Sequence, residues 1–172
     1  MKKTALIFTL ALFTAFSAIG QRFAFVDTEY ILDNIPEYQA AQLELNQLAE
    51  QWQTEIEAKF AEIENMYRDY QAESVLLPED MRREREEQII AMEKEAKELQ
   101  MQRFGREGDL FKKREELIKP LQDLIYNAIE EIAQRDNYAV IFDKAGGANM
   151  IYTDVRHDLS DSVLEAMGYR RQ

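Results

Sequence analysis

The chain has 172 residues, with 21 lysines and arginines against 33 aspartates and glutamates, a net charge of −12, one histidine and no cysteine. An acidic balance of that size argues against nucleic acid and anionic membrane surfaces as primary partners. The missing thiol excludes disulfides and lipid attachment through a cysteine, and it suits an oxidising exterior where stray thiols are a hazard.

Met1-Lys2-Lys3 is a basic start, Thr4 to Phe13 is a short apolar core, and Ala18-Ile19-Gly20 supplies the small residues a signal peptidase needs. Residues 1–20 therefore read as a cleavable export leader, with cleavage expected before Gln21. A membrane anchor would need closer to 20 apolar residues. No later stretch is long and apolar enough to span a bilayer, so stable membrane insertion is not expected. Without the leader 152 residues remain, and losing Lys2 and Lys3 takes the net charge to −14.

Phe23-Ala24-Phe25-Val26-Asp27 is a short apolar strand candidate. A turn of helix at Thr28 to Asn34 follows, with Ile31 and Leu32 to bury and Pro36 as punctuation. From Pro36 to about Gln134 the pattern is polar and helical, interrupted at Ser74 to Asp80. Before the interruption, apolar residues fall at Leu45, Leu48, Trp52, Ile56, Phe60, Ile63, Tyr67 and Tyr70, roughly 3.6 residues apart, which is a stripe down one helix face. Pro78 costs little at the first position of a helix, and Glu79 and Asp80 suit a first turn, so a second helix is expected to start there. Pro36 to Leu77 and Pro78 to Lys119 have equal lengths, which predicts an antiparallel hairpin with arms of roughly 60 Å. The outward arm carries nine acids and two bases, whereas the return arm carries twelve and eleven. Such runs read first as solvated helix faces, and second as charge that keeps neighbouring arms apart.

Gly105 and Gly108 interrupt the stripe of the return arm, at a cost of about 1 kcal/mol each relative to alanine inside a helix. They read either as a tolerated kink or close helix contact, or as a hinge that lets the outer arm swing. Pro120 lies nearer the root, where the helix is expected to restart with Leu121, Leu124, Ile125, Ile129 and Ile132 packing towards the body. Tyr138 to Asp143 is a second strand candidate, Lys144 to Asn149 a glycine-rich turn, and Met150 to Thr153 a third strand completing a β-hairpin. Asp158 or Ser160 can cap a last helix through Leu159, Val163, Leu164 and Met167, ending at Gly168.

The fold class expected is therefore α+β. Residues 36–136 form a helical hairpin arm with its tip near 74–80, and residues 21–35 and 137–172 form a β-rich body. About 50 residues cannot bury much surface, and open strand edges need partners, so the body is expected to assemble from several copies through Phe23, Phe25, Val140, Phe142 and Ile151.

Catalytic chemistry finds no support. His157 has no neighbouring cysteine or second histidine and reads as a solvated loop residue. Gly146-Gly147 lacks the lysine and hydroxyl spacing of a phosphate-binding loop. No catalytic residue, cofactor or metal is expected, and the role should be non-enzymatic and independent of ATP. The arm surface remains. Methionine and tyrosine suit weak contacts with many partners, which selects Tyr67, Tyr70, Met81, Met92 and Met101, together with Leu76 and Leu77 at the tip. Packing between the two arms competes for the same residues.

Phe23 to Leu32 followed by Pro36-Glu37-Tyr38-Gln39-Ala40-Ala41, and Tyr138 to Gly147 followed by Ile151-Tyr152, resemble the opening and closing of the Skp (OmpH-like) periplasmic chaperones. The resemblance covers essentially the whole chain after the leader. It implies a homotrimer with a shared strand body, and three helical arms around a cavity that holds unfolded outer-membrane β-barrel proteins in the periplasm. Familiar members are strongly basic and this chain is acidic, so lipopolysaccharide or anionic-lipid binding is not carried over. A coiled-coil scaffold or spacer of the cell envelope would use the same hairpin without an adaptable surface.

Overall fold

The computed structural model describes residues 22–147 and 150–169. The expected leader at residues 1–20 lies outside them, as do Ala148 and Asn149 of the glycine-rich turn. The described residues fall into two compact units, which divide after Asn34 and after Asp123.

One unit holds the chain's long helices. Helix α2 spans Pro36–Glu73, with Pro36 at its first position, where a missing N–H costs nothing. Helix α3 spans Glu79–Phe104, and Pro78 stands one residue ahead of it as the cap, not at its first helical position. Glu79 and Asp80 occupy the first turn, where carboxylates favour the helix N-terminus. The return arm is two helices: α3 stops at Phe104 and α4 runs Asp109–Asp136, crossing into the other unit. Pro120 lies inside α4 without interrupting it. Its position is exposed, so water can satisfy the carbonyl it frees, and the expected restart is unnecessary.

The pairing of α2 with the return arm is antiparallel. Tyr70 bonds Glu86, Tyr67 bonds Glu93 at 3.1 Å, Glu55 lies 3.8 Å from Arg103, and Glu44 lies 3.3 Å from Lys113. As the numbers fall on one helix they rise on the other. Ile63, Ile89 and Ala96 form the buried seam, with Met66, Tyr70 and Met92 packed against it. Each fully buried isoleucine contributes about 1.5–3 kcal/mol of transfer free energy, which is why the stripe at Leu45, Ile56 and Ile63 sets the pairing. Phe60 and Tyr67, on the stripe's edge, remain partly open to solvent.

Gly105 and Gly108 bound the break in the return arm. Gly105 has φ −63° and ψ 170°, which any residue adopts, so its backbone angles do not require glycine. Space does. A Cβ at Gly105 would collide with the Met101 carbonyl, and one at Gly108 would lie 2.8 Å from the Gln102 oxygen and 2.9 Å from the Arg103 oxygen. Alanine at either position would thus wedge the turn open.

In the other unit, strand β1 (Arg22–Val26) pairs in parallel with β2 (Tyr138–Asp143), placing Phe23 opposite Val140 and Phe25 opposite Phe142. Parallel neighbours cannot be joined by a tight turn, so the entire helical hairpin serves as the crossover between them. Asn137, with φ 55°, makes the left-handed step from α4 into β2. On the other edge of β1 the Leu159 amide donates to the Phe25 carbonyl at 2.9 Å. Residues 150–153 form no strand, so the expected β-hairpin is replaced by the long-range pair. Helix α1 (Thr28–Asp33) packs on α5 (Ser160–Ala166), and Ile31, Val163 and Leu164 are buried. At the root of α4, Ile125 and Ile132 are buried, whereas Leu124 is half-exposed, contrary to its expected inward packing.

A polar network ties these pieces together. The Asp27 side chain accepts from the Tyr30 amide at 3.0 Å and caps α1. Asp143 accepts from the Thr28 amide at 3.2 Å and hydroxyl at 2.8 Å. The Lys144 ammonium lies 3.2 Å from Asp158 and 3.8 Å from Asp27, above the Phe25 ring. Burial pushes the Asp158 carboxyl up, but the Ser160 hydroxyl and amide together with Lys144 overbalance it and hold the group below its ordinary value of 3.8.

Two outcomes follow from these contacts. Gly105→Ala should destabilise the hairpin by about 1–3 kcal/mol in urea unfolding, the usual cost of forcing a packed backbone apart. Because the Asp158 value is lowered on folding, its contribution is present above the ordinary aspartate range and lost as the pH falls through the folded value. Unfolding curves measured from neutral pH down to acid should therefore show a loss of stability at the acid end that Asp158→Asn reduces.

Candidate functional site

The hairpin seam sorts the arm residues by what they can touch. Ile89 and Ile90 are adjacent, so their side chains point about 100° apart on a helix and only one can enter the seam. Ile89 enters it and is 2% exposed, which leaves Ile90 62% exposed. Eleven residues on, Met101 returns to the same side of α3 and is 73% exposed. Ile90, Glu93, Lys94, Lys97, Glu98 and Met101 line an open hollow of ≈ 350 Å³ along that flank. Lys94 pairs with Glu98 at 3.8 Å and Lys97 with Glu93 at 3.4 Å, so the lysine stems lie along the flank and add apolar surface between Ile90 and Met101.

Tyr67 borders this flank from α2 by donating its hydroxyl to Glu93, a bond that holds the phenol above its ordinary value. Phe60, two turns earlier on α2, falls on the same side by helical period and is partly exposed. Of the residues selected from sequence, Tyr67 and Met101 therefore come together here. Tyr70 and Met92 do not. Both pack against the buried seam, and Tyr70 is turned by its bond to Glu86. Ile90 was missed, although the Ile89-Ile90 pair carries the signal that one of two neighbouring apolar residues must face outward.

The tip is a second apolar feature. Val75 and Leu76 are 89% and 85% exposed, Met81 is half-exposed, and Leu77 is partly covered. The connection is held by the Leu76 and Leu77 amides donating to the Glu73 carbonyl at 2.8 and 3.2 Å, which turns Val75 and Leu76 outward.

The strand unit presents a third. Phe25 is buried in its own chain at 5%, whereas Phe23 on the same strand is 56% exposed. Val140 and Phe142 on β2 are also exposed, as are Ile151, Tyr152 and Val155 further along the chain. His157 is exposed and stacks on Phe23 with ring centroids 5.3 Å apart, a contact its sequence context did not suggest.

Among the described residues, no helix is long and apolar enough to cross a membrane, and no group of histidine, cysteine and carboxylate side chains is arranged to hold a metal. The ionisable groups whose values shift do so through hydrogen bonds and ion pairs on helix surfaces and in turns. Glu116 and Glu44, for example, hold the Lys113 ammonium above its ordinary value.

A crystal structure of a candidate OmpH-like outer membrane chaperone from Caulobacter crescentus CB15 superposes on this fold with a TM-score of 0.69, over 86% of this chain and 83% of that one, at 12% sequence identity. At that identity the likeness speaks for the fold. No curated protein sequence matches the chain. The family model described as outer membrane protein (OmpH-like) matches residues 22–167, and the chain belongs to the OmpH-like family.

Proposed function

We propose that this protein is a periplasmic holdase chaperone that works without ATP, keeping unfolded outer-membrane β-barrel proteins from aggregating. The observation that carries this reading is the open flank on the helical hairpin, where Ile90 and Met101 stay exposed outside the seam and Tyr67 borders them through its bond to Glu93. Membership of the OmpH-like family and the chaperone described for the Caulobacter structure support it.

An unfolded barrel strand exposes alternate apolar side chains and unpaired backbone groups, and both drive aggregation. The flank and the tip offer dispersed apolar contacts bordered by charge, so a client gains attachment at many weak points and no single one holds it. Tyr67, Met101, Ile90, Leu76, Leu77 and Met81 supply those contacts in this reading, with Tyr70 and Met92 supporting the seam beneath. The apolar surface of Phe23, Val140, Phe142 and Ile151 is the joining face of a homotrimer, and it covers strand edges that a single chain leaves open. Phe25 stabilises the protomer that joins. Export by a cleaved leader at residues 1–20 places the protein with its clients.

The test is sedimentation of the protein lacking its leader, alone and with a urea-unfolded outer-membrane barrel diluted into it, while light scattering is followed. A trimer that keeps several unrelated barrels soluble in stoichiometric complexes is the expected result. A stable oligomer that leaves every barrel to aggregate would instead make the chain an envelope scaffold. Covering Ile90 and Met101 with client is worth on the order of 1 kcal/mol each. Ile90→Ser with Met101→Ser should therefore weaken capture by roughly thirtyfold in the same assay without changing the oligomer.

A further inference from the structure

The break at residues 105–108 interrupts only one of two paired helices. Opposite it, α2 is continuous from Pro36 to Glu73. A bend of the hairpin at this level must flex α2, while the gap between α3 and α4 opens or closes to follow it. Whatever spans that gap sets its length.

Arg103 spans it. Its Nη1 donates to Asp109 Oδ2 at 2.7 Å, joining the last turn of α3 to the first residue of α4. Nη2 lies 3.8 Å from Glu55 on α2, and the guanidinium stands 4.7 Å from the centre of the Trp52 ring on the same helix. Phe104 meets that ring edge-on at 6.4 Å. One planar cation thus touches all three helices where the backbone changes course. Its Nε is buried and has no hydrogen-bond partner among the described residues, so the side chain is held in place at the expense of one donor.

We infer that residues 105–108 form a latched joint, in which Arg103 braces α3 against α4 through Asp109 and against α2 through Trp52, and that releasing Arg103 frees the arm to flex. Arg103 is a positioning residue, set apart from the Ile90 flank. The close backbone approach at Gly105 and Gly108 makes the turn compact, and the arginine keeps it so. If the arms hold clients as proposed above, which this consequence rests on, the latch determines how far the arm yields to a large client.

The chain has no cysteine, so Glu95→Cys and Glu115→Cys, at exposed positions on either side of the break, place two unique spin labels. Distance distributions between them, with amide exchange at Gly105 and Gly108, are compared in the otherwise unchanged protein and in Asp109→Asn, Arg103→Lys and Arg103→Leu. Asp109→Asn retains the volume and the Trp52 contact. Arg103→Lys retains the charge but loses the planar fork that reaches several partners at once.

All three variants should exchange at the two glycines about tenfold faster, the factor expected for loss of one charge-assisted bond. The distance distribution should broaden, with helical content and oligomeric state unchanged. Parent-like exchange and distances in Asp109→Asn and Arg103→Leu would overturn the latch. So would loss of helix throughout both variants, because the contact would then be holding the whole hairpin and not one joint. Both readouts are made without client, so failure of the parent protein to hold a barrel would refute the proposed function and leave the latch standing.

Discussion

The seam between α2 and the return arm is a single row of side chains deep, and the rest of the arm follows from that. Two helices in contact can cover only one stripe of each, so a sequence richer in apolar residues than the stripe can hold must display the remainder. Ile63, Ile89 and Ala96 take the seam, and Met66, Tyr70 and Met92 close it from the sides. Ile90, Met101 and Phe60 are then left at the surface with no third layer to receive them. In a larger domain such residues would be core. On a two-helix arm they become the adhesive surface of the proposed holding function.

The same thinness explains the charged and aromatic groups that flank the seam. Glu44 with Lys113, Glu55 with Arg103, and the two tyrosine-to-glutamate bonds sit where the helices part and water begins. Exposed pairs of this kind contribute little stability individually. Their value lies in alignment, since a slip along the seam would separate every one of them. Arg103 differs because it is largely covered, stacked on Trp52 and tied to a residue beyond the break.

In the strand unit, β1 is enclosed between β2 and residues 158–159, while Val140 and Phe142 of β2 stay half-exposed among the described residues. A two-stranded sheet is too small to be stable alone. The Lys144, Asp27 and Asp158 network fastens it to α1 and α5, and the apolar surface around Phe142 remains for a neighbour. The proposed trimer would cover such a surface.

Local rules written in the sequence determined much of this protein. The 3.6-residue stripe before the tip and the glycines at 105 and 108 marked two long helices and an irregularity, because periodicity and backbone propensity act over a few neighbouring residues. The strands at Phe23 and Tyr138 were legible for the same reason. Tertiary structure alone decided their partners. A glycine-rich turn after β2 suggested a local β-hairpin, yet β1 takes the pairing from more than a hundred residues away. Likewise, composition could not separate Tyr67 and Met101 on the flank from Tyr70 and Met92 at the seam, because rotation about the helix axis is set by the opposing helix. The bracing role of Arg103 was also invisible: Trp52, Glu55 and Asp109 meet it only when the hairpin closes, and no local signal specifies that meeting.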